Sequence, residues 1–326
     1  MGYVAGELIK DDEYNAFVAS SSSPFGYNHI AGTGSGNQGL GQTELGQVSA
    51  GASNEIKAAS WNSLLAGIDN IANHTNDTMT TRGQVTAGDT IKIKSNVATD
   101  LATLSASVAG GCVNATAVSE SSELRSAAAS GRFVGSHVVE HSVTFANGND
   151  LRHFFNAGGK IRIKLTRTGN GGSSAKTSKD DSVDELITAL GNFDIGAQVS
   201  TRSGSGESLQ TDGLANGVDD FGTSYTTIAV IRQSSGTYTT MDLKIEGKVD
   251  NATYGSAVKV TVKCSVIDAD SGDSQFTSGN TSGVDQFANF LGVTDWALHT
   301  VNPTTAQGLG SVATISASAI ESNTTS

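Results

Sequence analysis

A chain of 326 residues is long enough for one large or two ordinary domains, with at least one substantial core. Only 37% of it is hydrophobic and 16% charged, while 39 residues are Gly, a balance that suits strands joined by tight turns and argues against disorder. A net charge of −12 repels polyanions, so neither nucleic acid nor an anionic membrane is an expected partner.

The opening residues, MGYVAGELIKDDEYNAF, lack the apolar run of a secretory signal, and no stretch of about 18 apolar residues follows. The expectation is a soluble chain made in a cytoplasm. Asp11 or Asp12 is placed to cap a helix whose face carries Tyr14, Phe17 and Val18. Residues 9–18 (IKDDEYNAFV) then match residues 56–65 (IKAASWNSLL) in the pattern I-K-x-x-x-aromatic-N-small-apolar-apolar. A second echo links QVSAG at 47–51 with QVTAG at 84–88, each followed by an Ile-Lys pair and a helical pattern.

The second helix presents Trp61, Leu64, Leu65, Ile68, Ile71 and Ala72, and a third over 96–108 aligns Val97, Leu101, Leu104 and Val108. Helices this short need partners, either one another or a neighbouring subunit. Gly32, Gly34 and Gly36 superficially match a dinucleotide fingerprint. The strand before it and the helix opening on its last Gly are missing, so an ordered interface loop is the reading.

From His137 the period changes to two. HVVEHSVTF (137–145) and KIRIKLTRT (160–168) alternate, and strands at 225–233, 237–249, 257–267 and 311–320 complete an antiparallel, sandwich-like set. Two short helices interrupt it. One covers 151–156, capped by Asn149 or Asp150 and ended by Gly158; the other opens on a capping box at 182–185 and runs to Leu190. Polar loops fill 169–182 and 200–224. The predicted class is α+β: repeated helix units over 1–110, a linker over 111–136, and a mainly antiparallel β domain over 137–326.

Little in this pattern carries chemistry. His137 and His141 share one side of a strand, and the six His form no metal-binding spacing, so satisfied or exposed imidazoles are expected. Asp268, Asp270 and Asp273 resemble a Ca²⁺ loop but lack its full spacing and terminal Glu, which favours an acidic turn. Cys112 and Cys264 are too few for a metal cluster, and Cys264 reads as a small core residue. No nucleophile elbow, P-loop or kinase set occurs. The 6% aromatic content is thin for a polysaccharide-cleaving cleft. No catalytic, cofactor-binding or metal residue is therefore assigned, no cofactor is implied, and the chain reads as a non-enzyme. Lys160, Arg162, Lys164 and Arg167 have no interleaved aromatic to stack a base, which points to a solvated or partner-facing sheet face with an acidic neighbour.

The blocks IKDDEYNAF, GTGSGNQGLGQ, QVSAG and IKAASWNSLLAGIDNIANH, followed by RHFFNAGGKIRIKLTRTGNG, resemble a group of virion structural proteins of tailed bacteriophages. The group is best represented among contractile-tailed phages, including those of cyanobacteria. The resemblance covers mainly residues 7–76 and 137–170; GLGQ at 39–42 departs from it where an aromatic is expected, and 84–135 is unmatched. It implies a particle component of the tail, baseplate, neck or proximal fibre, bound to other virion proteins and repeated around a symmetry axis, with no catalytic residues to carry over. The alternatives are a capsid decoration protein or a β-sandwich that binds host glycan through Tyr225, Tyr238, Tyr254 or Trp296.

Overall fold

The computed structural model describes residues 11–22, 25–32, 39–49, 56–89, 94–109, 118–129, 135–169, 178–212, 214–234, 238–253, 255–269, 292–303 and 315–326. The chain is α+β, with helices and antiparallel sheets both well represented.

Four helices occupy the N-terminal part: α1 (Asp11–Val18), α2 (Tyr27–Ala31), α3 (Ala58–Thr75) and α4 (Lys94–Ala109). The apolar faces of α1, α3 and α4 are those read from the helical period, whereas α2 was not anticipated. Tyr14, Phe17 and Val18 meet Trp61, Leu64 and Ile68, and Val97, Leu101 and Leu104 join them in one solvent-free cluster with Tyr27, Ile30 and Leu40. Phe17 and Trp61 pack edge-on, with ring centroids 6.2 Å apart. The helices thus bury one another within the chain. Gly67 sits mid-helix because the Tyr27 ring lies against it; an added Cβ would fall 2.6 Å from that ring. α3 ends on Asn76 in the left-handed conformation, at φ +61°.

Between the helices run segments with no ladder of their own, 39–49 and 77–89. Asparagine side chains grip their backbone. Asn15 Nδ2 donates to Val48 O at 2.9 Å while its Oδ1 accepts from Val48 N–H at 2.8 Å. Asn62 makes the same pair with Val85, both at 2.9 Å, and Asn28 does so with Leu45, both at 2.8 Å. A primary amide is matched to this task because it offers a donor and an acceptor side by side, as a peptide unit does.

Among the described residues from Val118 onward, the strands form two six-stranded sheets. One contains β1 (Val118–Glu120), β2 (Arg125–Ala128), β4 (Lys160–Thr168), β5 (Phe193–Ile195), β6 (Ser200–Arg202) and β11 (Val293–Pro303), in the order β1-β11-β4-β5-β6 with β2 also on β11. The other runs β12-β3-β10-β9-β8-β7, where β3 is Ser136–Phe145, β7 Ser208–Asp212, β8 Thr226–Arg232, β9 Met241–Val249, β10 Lys259–Asp268 and β12 Ile315–Thr325. All pairs are antiparallel. Val139, Val143, Ile245 and Val262 of one sheet share an apolar cluster with Ile161, Ile163, Trp296 and Leu298 of the other. Helices α5 (Gly148–Asn156) and α6 (Ser178–Leu190) add Phe154, Phe155, Leu186 and Leu190 to it.

Several elements depart from the sequence-based expectation. The 111–136 stretch, read as a linker, contains β1 and β2, both paired with β11. The loop expected over 200–224 contains β6, β7 and a 3-10 turn, Val218–Asp220. β11 itself was not anticipated, and β12 extends to Thr325. Helix α5 is capped by Asn147, whose side chain accepts from Asp150 N–H at 2.9 Å, rather than by Asn149 or Asp150. Helix α6 begins at Ser178, so residues 182–185 lie inside it.

The helical and β parts meet at the end of α5. Ala157 is buried in the helical cluster, and its carbonyl accepts from His74 Nε2–H at 2.6 Å. Gly39, at φ +48°, lies against the His153 imidazole.

Candidate functional site

The cationic rank on β4 is the feature from which most could have followed. Alternation turns Ile161, Ile163 and Leu165 into the core and leaves Arg162 and Lys164 on the opposite face. Arg162 does not wait for an external acid. Its Nε and Nη2 bind the two oxygens of Asp194 on β5 at 2.6 and 2.8 Å, and Nη1 binds Glu120 Oε2 on β1 at 2.6 Å. Lys164 Nζ binds the other oxygen of Glu120. His299, facing Arg162 across the β4–β11 register, lies 3.4 Å from that same oxygen. The bonds to Asp194 hold the Arg162 guanidinium above its usual range, and Lys164 with Arg162 holds Glu120 below the usual carboxylate range.

Arg167 is drawn towards α6, where Asp184 takes it bidentately at 2.7 Å for each bond and Asp180 lies 3.4 Å away. The acidic neighbour expected outside the chain is therefore supplied by β1, β5 and α6. Sequence reading missed Glu120 and Asp194 because sheet pairing brings them in from residues 42 and 32 positions away.

The aromatic candidates for a glycan platform are mostly committed elsewhere. Trp296 is solvent-free in the core and Tyr238 nearly so. Lys179 Nζ stands 5.0 Å from the Tyr238 ring centre. Tyr225 lies with Lys248 Nζ 4.2 Å and Lys263 Nζ 4.1 Å from its ring centre, so cations occupy the ring a sugar would stack on. Tyr254 lies outside the described residues.

The histidines on β3 span the gap between the sheets. His141 Nε2–H donates to Trp296 O at 3.1 Å. His137 Nε2–H donates to Asn323 Oδ1 at 3.1 Å, and Nδ1 meets Thr294 Oγ1 at 2.7 Å. Burial pushes both imidazoles down, His141 to about 4, so both are neutral structural links at neutral pH.

Asp268 is buried and bound by Lys179 Nζ at 2.6 Å, which takes it out of the acidic turn; Asp270 and Asp273 lie outside the described residues. Among the described residues, no three His, Cys, Asp or Glu side chains group to hold a metal ion. Cys264 is solvent-free in the core as expected, and Cys112 lies outside the described residues.

A site that no sequence pattern announced lies between the start of α5, the 3-10 turn at Val218–Asp220 and the β9–β10 connection. It is a hollow of about 200 Å³, walled by Leu151, Phe155, Val218, Phe221 and Val249, with Asp219 and Arg152 as its charged members. Gly247 positions one wall: the Phe221 ring lies on it so closely that an added Cβ would come within 2.2 Å.

Among the described residues, no helix is long and apolar enough to cross a membrane. No family model, curated protein or solved structure matches the chain.

Proposed function

We propose that this chain is a structural component of a tailed-phage virion, placed in the tail, baseplate, neck or proximal fibre. It acts through contacts with other virion proteins and with further copies of itself around a symmetry axis. The observation that carries this reading is where the resembling segments, 7–76 and 137–170, meet. Their contact is the junction of the helical and β parts, built from Gly39, Leu40 and His74 on one side and His153 and Ala157 on the other. Direct packing between the two resembling segments supports reading them as parts of one shared architecture rather than as the surroundings of a reactive group.

Two finer features belong to the same reading. The gripping pairs Asn15–Val48 and Asn62–Val85 fall on corresponding positions of the two sequence echoes, which supports tandem units in the N-terminal part. The apolar cluster common to both sheets supports a sandwich, a rigid body suited to load-bearing in a particle. Arg162, Lys164 and Arg167 are paired with acids of this same chain, so these cations serve the β domain's own packing.

Immunogold labelling of gradient-purified particles, with antibody raised against the recombinant chain, tests the proposal. Label at a fixed site on intact particles is the expected result. Chain abundant in the lysate of infected cells but absent from the purified particles would overturn it.

A further inference from the structure

The hollow beside α5 presents a physical mismatch. Its wall is apolar, yet Asp219 stands at its mouth and Asp220 stands next to it on the same turn. Asp220 is used internally, since its Oδ2 accepts from Gly217 N–H at 2.9 Å. The Asp219 carboxylate makes no hydrogen bond or ion pair among the described residues; the residue's backbone N–H donates to Ala197 O at 2.8 Å. Although its residue surface is exposed, the apolar surroundings of the carboxyl and the charge of Asp220 push it up to about 6. The other charged group in the hollow, Arg152, is turned along α5: its Nη2 donates to Asn149 Oδ1 and to His153 Nε2, both at 3.2 Å. The remaining polar members, Asn251 and Thr253 of the β9–β10 connection, carry no charge.

An occupant that removes the mismatch must bring a cation to Asp219 and an apolar stem to the wall. Arginine combines these. Its methylene stem packs on apolar surface, its planar guanidinium is weakly hydrated and binds a carboxylate with two parallel bonds, and it stacks on rings such as Phe155 and Phe221. The chain's charge of −12 favours the approach of a basic segment from any direction. We propose that this hollow is a docking point for an arginine flanked by apolar residues on a partner protein. This deepens the assembly reading by naming the chemistry of one contact, and rests on that reading only for where the partner comes from.

The test uses the full chain and two probes, acetyl-Leu-Arg-Leu-amide and its citrulline counterpart, which keeps the shape and loses the charge. Amide NMR shifts at residues 218–221 and 251–253 follow the titrations. The arginine probe should saturate these shifts, and the citrulline probe should bind about tenfold more weakly, as expected for a lost charge-assisted contact. Asp219→Asn should weaken the arginine probe by a similar factor and leave the citrulline probe unchanged, a readout that general unfolding would not produce. Lowering the pH to about 5 should weaken only the arginine probe, because Asp219 takes up a proton while Arg152 stays charged. Equal binding of the two probes, shifts scattered away from the hollow, or no shifts at all would each overturn the docking site. The particle-labelling result would be untouched by any of these outcomes.

Discussion

Replacing Asn62 with Ala removes one of the side-chain grips and nothing else of size. The amide makes two hydrogen bonds of 2.9 Å to the backbone of Val85, and both residues are half-buried. Each bond is worth about 0.5–1.5 kcal/mol net, so the pair contributes roughly 1–3 kcal/mol to holding the 77–89 segment on α3. Because Val85 is only half-buried, water can take over part of its hydrogen bonding, which keeps the loss inside that range. The α3 face of Trp61, Leu64 and Leu65 is untouched, so the helix itself should stay folded. Hydrogen–deuterium exchange separates these effects. Peptides covering 80–86 should lose roughly 5- to 160-fold in protection, while peptides from α3 and from β10 keep theirs. Asn62→Asp keeps the acceptor and loses the donor, and at neutral pH it sets a carboxylate oxygen against Val85 O; it should be at least as damaging. Unchanged protection at 80–86 in both variants would refute the idea that these amides hold the segment in place.

Arg162→Ala should lower stability by about 2 kcal/mol, since it leaves the buried Asp194 without its bidentate partner and the exposed Glu120 with Lys164 alone; the denaturant midpoint reports it, and Arg162→Lys should recover only part because it cannot make the bidentate pair with Asp194. Acid should destabilise the β part. The folded pKa of His141 is depressed to about 4, so the unfolded chain binds more protons below about pH 6.5, and stability falls as pH drops from there towards 4 by about 3 kcal/mol; His141→Gln should flatten that slope in pH-dependent denaturation. Gly247→Ala should cost about 1–3 kcal/mol by displacing the Phe221 ring and should also weaken the arginine probe, which thermal melts and the NMR titration read separately. Cys264, whose thiol burial pushes up, should resist iodoacetamide in the native chain and react once denatured, as intact mass will show.

The helical part was largely legible because the period survives in the face residues of α1, α3 and α4; α2, five residues long, is too short to show one. The strands that read clearly include β4, β9 and β10, which bury apolar residues at alternate positions, as in Ile161, Ile163 and Leu165 or Met241, Leu243 and Ile245. β11 escaped notice because its inward residues, Thr294, Trp296, Leu298 and Thr300, begin and end on threonine, which weakens the alternation at both ends. β5 and β6 are three residues long, too short for any period, and β1 and β2 are polar edge pieces that exist because β11 offers them a ladder. The candidate sites were harder still. The cations of β4 were visible, but their partners arrive through pairing between strands far apart in sequence. The hollow beside α5 draws on three separate segments, none distinctive alone.

The asparagine grips bear on how such a chain can change over generations. Each contact made at Leu45, Val48 and Val85 runs through main-chain atoms, so it is indifferent to which side chain the gripped residue carries. The gripped residues need only stay apolar enough to pack on the helical cluster, whereas Asn15, Asn28 and Asn62 cannot change at all, because no other side chain of that length presents a donor and an acceptor together. Distant kin of this chain should therefore be sought through the spacing of those three asparagines on helices, in segments whose other letters have long since diverged.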